Sequence, residues 1–72
     1  MLPLPHLREL RQRRAMTQEE LGKAAGVGSI TILRIELEKQ RARLSTIRKL
    51  ARALGVTPED LMGPPEEGKE AA

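Results

Sequence analysis

The 72-residue sequence contains no cysteine and no aromatic residue. Without cysteine, disulfides and thiolate metal sites are excluded, and a chain this short must hold itself together by aliphatic packing. Without Phe, Trp or Tyr there is no ring platform for stacking single-stranded bases, and no aromatic belt for a membrane interface. Long hydrophobic runs are missing as well. No stretch nears the roughly 18–20 apolar residues of a membrane span, and the opening Met1-Leu2-Pro3-Leu4-Pro5-His6 lacks the regions of a secretion signal. A cytoplasmic protein with no membrane partner is expected. His6 is the one histidine, and with no second His or Cys it has no company for a metal site. A solvent-exposed ring is the simpler reading.

What the chain does have is charge and aliphatic side chains in helical spacing. Thirteen Lys/Arg face ten Asp/Glu, for a net +3. Residues 1–65 hold twelve of the cations against seven acids, so the part able to fold is more basic than the whole and would be drawn to a polyanion.

Five helices can be read between short breakers. Leu7 and Leu10 mark an apolar face in a first helix from about Pro5 to Arg14, in which the arginine run Arg8, Arg11, Arg13, Arg14 reads as a solvated face. Thr17 with Glu20 three residues on forms a capping box, starting a second helix at Gln18 that Gly26 ends. A third helix starts near Ser29 with Ile32 and Ile35 on its inner face. Leu44, Ile47, Leu50, Ala51 and Leu54 give a fourth, whose apolar stripe is expected to be core, and Gly55 closes it. Thr57-Pro58-Glu59-Asp60 supplies a cap, a proline at the first helical position and two acids for a short fifth helix. Ser29, Ser45 and Thr57 stand at helix starts with no histidine base within the helices, so they read as capping or backbone residues, not nucleophiles. No cofactor and no enzymatic activity are expected. The fold class is all-α, with residues 1–6 an extended N-terminus, 7–62 the domain and 63–72 a disordered polar tail.

The second and third helices are joined by about three residues including glycine, the connection of two short helices crossing steeply. Such a crossing needs a small residue one turn into the first helix, a glycine in the turn and apolar residues inside the second. Gly22, Gly26, Val27, Ile32 and Ile35 meet these needs.

Met16 to Glu36, MTQEELGKAAGVGSITILRIE, resembles the Cro and phage-repressor (XRE-type) helix-turn-helix family, as do LRELRQRR upstream and LSTIRKLARALGVTPEDL downstream. The resemblance spans about residues 7–62. It implies a compact five-helix, lambda-repressor-like domain that binds double-stranded DNA with its third helix in the major groove. By position, Gln18 would touch the phosphate backbone, Ser29, Ile30 and Arg34 would face base edges, and Lys39 and Arg41 would contact phosphates. Arg11 and Glu36 occupy places that form a salt bridge between the first and third helices. The chemistry agrees: arginine can donate two hydrogen bonds to guanine, serine serves base or phosphate, and isoleucine can pack on a thymine methyl. Where the family has Asn-Gly after the third helix, this chain has Leu37-Glu38. Either the helix runs on for a turn or the loop takes another path.

The implied function is a transcription regulator, a repressor by analogy, acting as a homodimer on a two-fold operator. The fifth helix with Leu61 and Met62, alone or with the fourth helix, is the expected dimer contact. A different class of function follows from Ile30, Leu33 and Leu37, an apolar stripe on the outward side of the third helix. On that alternative the chain is a protein-interaction module of the same fold, antitoxin-like or an adaptor, with that stripe against its partner.

Overall fold

The computed structural model describes residues 1–63. They form α1 (Leu7–Arg13), α2 (Gln18–Ala25), α3 (Ser29–Glu36), α4 (Leu44–Leu54) and α5 (Pro58–Met62). Local chemistry sets the starts of α2 and α5. Thr17 Oγ1 accepts the Glu20 N–H (3.0 Å) while the Glu20 carboxylate takes the Thr17 N–H (2.8 Å). Thr57 and Asp60 repeat the arrangement at 3.1 and 3.0 Å, with Pro58 inside the first turn.

The ends of α1 to α4 share one device. At α3 the Lys39 N–H reaches back to the Arg34 carbonyl (2.9 Å) and the Glu38 N–H to that of Ile35 (3.0 Å), closing the last turn with a left-handed residue between them. Gly26 (φ 71°) and Gly55 (φ 69°) take that left-handed place after α2 and α4, as their lack of a Cβ favours. After α1 and α3 the place falls to Ala15 (φ 54°) and Glu38 (φ 61°). The Leu37-Glu38 question is thereby answered: the helix stops at Glu36 and the turn keeps its positive φ without a glycine. A left-handed L-residue costs about 1–2 kcal/mol, and glycine's extra unfolded-state freedom offsets up to about 1. Glu38→Gly is therefore expected to stabilise the domain by about 0.5–1 kcal/mol. Chemical denaturation checks this, and an unchanged or lower midpoint counts against it.

Packing joins α2 to both α3 and α4, α4 to α5, and α1 to α3 and α5. The shared core is entirely aliphatic, centred on Leu7, Leu21, Ile32, Ile47, Leu50, Leu54 and Leu61, all almost wholly buried. Each such side chain contributes about 1.5–3 kcal/mol by leaving water. Three sequence expectations change here. Leu44 is 58% exposed, because it is the first residue of α4 and lies ahead of the turn that meets the core. Leu61 is fully buried within its own chain, so it is not available as a dimer contact. His6 is only partly exposed, its ring lying over Gly63 while the residue's backbone N–H donates to the Leu61 carbonyl.

Residues 1–6 are expected to be extended, but Pro5 and His6 form a turn ahead of α1, and the segment belongs to the packed unit. Leu4 is buried in the core, and Leu2 exchanges both backbone hydrogen bonds with Ala42. The polar tail expected at 63–72 lies outside the described residues apart from Gly63. Among the described residues no helix is long and apolar enough to cross a membrane.

Candidate nucleic-acid interface

The angle between α2 and α3 rests on Gly22. Its carbonyl accepts the N–H groups of both Gly26 (2.8 Å) and Val27 (3.0 Å), folding the turn back onto α2. A Cβ on Gly22 would stand 2.6 Å from the Val27 carbonyl oxygen, closer than backbone tolerates. The turn thus presses against a position where no side chain fits. Ile32 and Ile35 anchor the inner side of α3 in the core, and helical period then turns Ile30 and Arg34 outward together, one turn apart.

Beneath that helix lies a single buried carboxylate. Glu36, its side chain fully shielded, accepts Nε (2.7 Å) and Nη2 (3.1 Å) of Arg11 in a two-pronged pair, and Nε2 of Gln18 at 3.0 Å. Arg8 Nε stands 3.7 Å away, and the remaining arm of Arg11 donates to the Met16 carbonyl at 2.8 Å. The α1–α3 bridge implied by the resemblance is present, and it also draws in the first residue of α2. Because every charged oxygen has a donor, the low-dielectric site tolerates the ion pair.

The sequence-derived site residues fall into four places. Ile30 (58% exposed) and Arg34 share the open face of α3, joined by Leu37. Ser29 is half-buried and lies in a groove between α2 and α3 with Glu19, Lys23 and Gly28. Gln18 is half-buried and donates one amide hydrogen to Glu36, leaving its oxygen and second hydrogen uncommitted to that pair. Lys39 and Arg41 are exposed on the loop after α3. A second groove, of about 280 Å³, runs along the other flank of α3 between Thr31, Gln40, Arg41, Arg43 and Thr46.

Thr31, Arg43 and Thr46 are missing from the sequence-derived set. One available signal was the place of Arg43 directly before the α4 stripe, with no acid in the first turn of that helix. By contrast the first turn of α2 carries Glu19 and Glu20, which weaken its attraction for a phosphate. Arg13 is engaged with Glu9 at 2.7 Å on the solvated side of α1; Arg8, Arg13 and Arg14 are exposed, as expected of that arginine run, whereas Arg11 of the same run is buried against Glu36. Leu33, assigned to the outward stripe, is half-buried, whereas Ile30 and Leu37 are exposed.

Comparison with known proteins agrees with this geometry. A helix-turn-helix family model matches residues 7–61. The chain is 38% identical over 60 residues to the cryptic phage CTXphi transcriptional repressor RstR of Vibrio cholerae, a match covering 83% of this chain and 54% of that protein. It is 40% identical to the HTH-type transcriptional regulator RghRB of Bacillus subtilis, over 92% of this chain and 53% of the relative. The chain thus spans about half the length of both. Among solved structures, the restriction-modification controller protein C.AhdI from Aeromonas hydrophila superposes with a TM-score of 0.76 at 34% identity, covering 78% of this chain and 85% of that one.

Proposed function

The chain belongs to the helix-turn-helix family of the Cro and phage-repressor type, and from that footing we propose that it is a sequence-specific, duplex-DNA-binding transcription regulator, a repressor acting in the cytoplasm. The observation that carries the reading is the open face of α3, on which Ile30 and Arg34 stand together with a cation-lined groove on one flank. A helix fits the major groove, and side chains on its exposed face then meet base edges. Arg34 donates to guanine, Ile30 packs on a thymine methyl and Ser29 serves base or phosphate. Lys39, Arg41 and the free amide atoms of Gln18 hold the backbone, and so fix register without reading sequence. A single small module covers little DNA, so the regulator acts as a homodimer on paired half-sites. The names of RstR and RghRB, a transcriptional repressor and a transcriptional regulator, support the same reading.

Selection of random duplexes by the purified protein, followed by salt titration on the enriched sequence, tests this. The expected result is an inverted repeat with half-sites about one helical turn, roughly 34–36 Å, apart, with affinity falling steeply as salt rises. A second reading, a protein-interaction module, draws on the exposure of Ile30 and Leu37. It prevails if no duplex is enriched and a partner protein is lost on Leu37→Glu.

A further inference from the structure

The α3–α4 loop is held from outside itself. Among the described residues, the backbone N–H groups of residues 40–43 find one backbone acceptor, the Leu2 carbonyl, which takes the Ala42 N–H at 2.8 Å. The Ala42 carbonyl in turn accepts the Leu2 N–H at 2.9 Å, forming an isolated antiparallel bridge across forty positions of sequence. Pro3 lies against the same loop, beside Glu38, Gln40 and Arg41. Leu4 then anchors the segment in the core. Ala42 is 2% exposed while Arg41 and Arg43 on either side are exposed, the alternation of a strand. Pinning Ala42 inward therefore sends both arginines outward on one side, along the groove that flanks α3.

We propose that residues 2–4 are a positioning element for DNA binding, a clamp that holds the α3–α4 loop so that Arg41 and Arg43 meet backbone phosphates together. The inference rests on the DNA-binding reading above. Its chemistry is indirect: the clamp touches no phosphate, but without it the loop has no backbone partner for Ala42, and its cations must be ordered at the moment of binding. Leu2 and Leu4 are thus positioning residues, and Arg41 and Arg43 carry the contact.

Leu2→Pro removes the hydrogen that Ala42 accepts and leaves the core untouched. A chain with Leu2 and Pro3 deleted, joining Met1 to Leu4, removes the whole bridge. Both are compared with the wild type by far-UV circular dichroism, by hydrogen exchange at the Ala42 amide, and by duplex-DNA affinity across a salt series, each with and without Arg41→Ala. Expected are unchanged helix content, faster exchange in the deletion, and about fivefold weaker binding near 0.15 M salt with a salt slope smaller by about 1, the equivalent of one phosphate contact. Arg41→Ala should weaken the wild type but add little in either clamp variant, a coupling that general destabilisation does not produce. Clamp variants that bind as tightly as the wild type, or that lose as much again on Arg41→Ala, overturn the inference alone. A wild type with no salt-sensitive duplex binding overturns the DNA reading and this inference with it.

Discussion

Arg11→Met is expected to destabilise the domain by about 3–5 kcal/mol, because it strands a buried carboxylate without its two-pronged partner. Glu36 would keep only Gln18 and the more distant, exposed Arg8, at 3.7 Å, against a charge that has no access to water. The Met16 carbonyl would lose its guanidinium donor as well. At about 0.05–0.15 kcal/mol per residue, a domain this small holds only roughly 4–11 kcal/mol in all, so the variant should lose a large share of its stability. Circular dichroism and urea titration read this directly. The double replacement Arg11→Met with Glu36→Leu is expected to recover much of the loss, since it removes both charges together. A single variant within about 1 kcal/mol of the wild type would show that water reaches Glu36. That outcome contradicts its complete shielding.

Arg34→Ala is expected to weaken binding to the selected duplex by about 1–3 kcal/mol and to relax preference at one base position. Stability should stay within about 0.5 kcal/mol of the wild type, as befits an exposed surface site. Among the described residues Arg34 makes no side-chain hydrogen bond or ion pair, so folding has nothing to lose there. Lys39→Ala separates the two kinds of contact. It should lower affinity by a similar factor on every sequence and reduce the salt slope by about 1. Competition titrations against single-base variants of the operator distinguish the pair. Uniform loss on Arg34→Ala would remove that residue from base reading and leave Ile30 and Ser29 with the task.

Most helix starts and stops were legible in the sequence because they are local events. Thr17 needs only Glu20, Thr57 needs only Asp60, and Gly26 and Gly55 end helices through bonds that reach back a few residues. The inner face of α3 was readable for the same reason, since Ile32 and Ile35 follow helical period. Features that depend on distant partners were not. The tie between Gln18 and Glu36 joins positions 18 apart, and the Leu2–Ala42 bridge joins the chain's first residues to a loop beyond α3. Leu44 shows the limit of periodicity: it lies on the right spacing for the stripe, yet the start of α4 extends past the core. Glu38 shows the limit of residue type, since a position that glycine favours was filled by an acid and the turn formed regardless.

The meeting of three helices on one shielded carboxylate also bears on how the molecule moves. Opening α1, α2 or α3 alone would break a bond to Glu36 inside the structure, so these helices open more readily together than singly. Amide exchange should therefore slow to a common rate across these three helices. For the face proposed to read DNA, the consequence is thermodynamic: α3 would arrive already ordered, and association need not supply the free energy to order it.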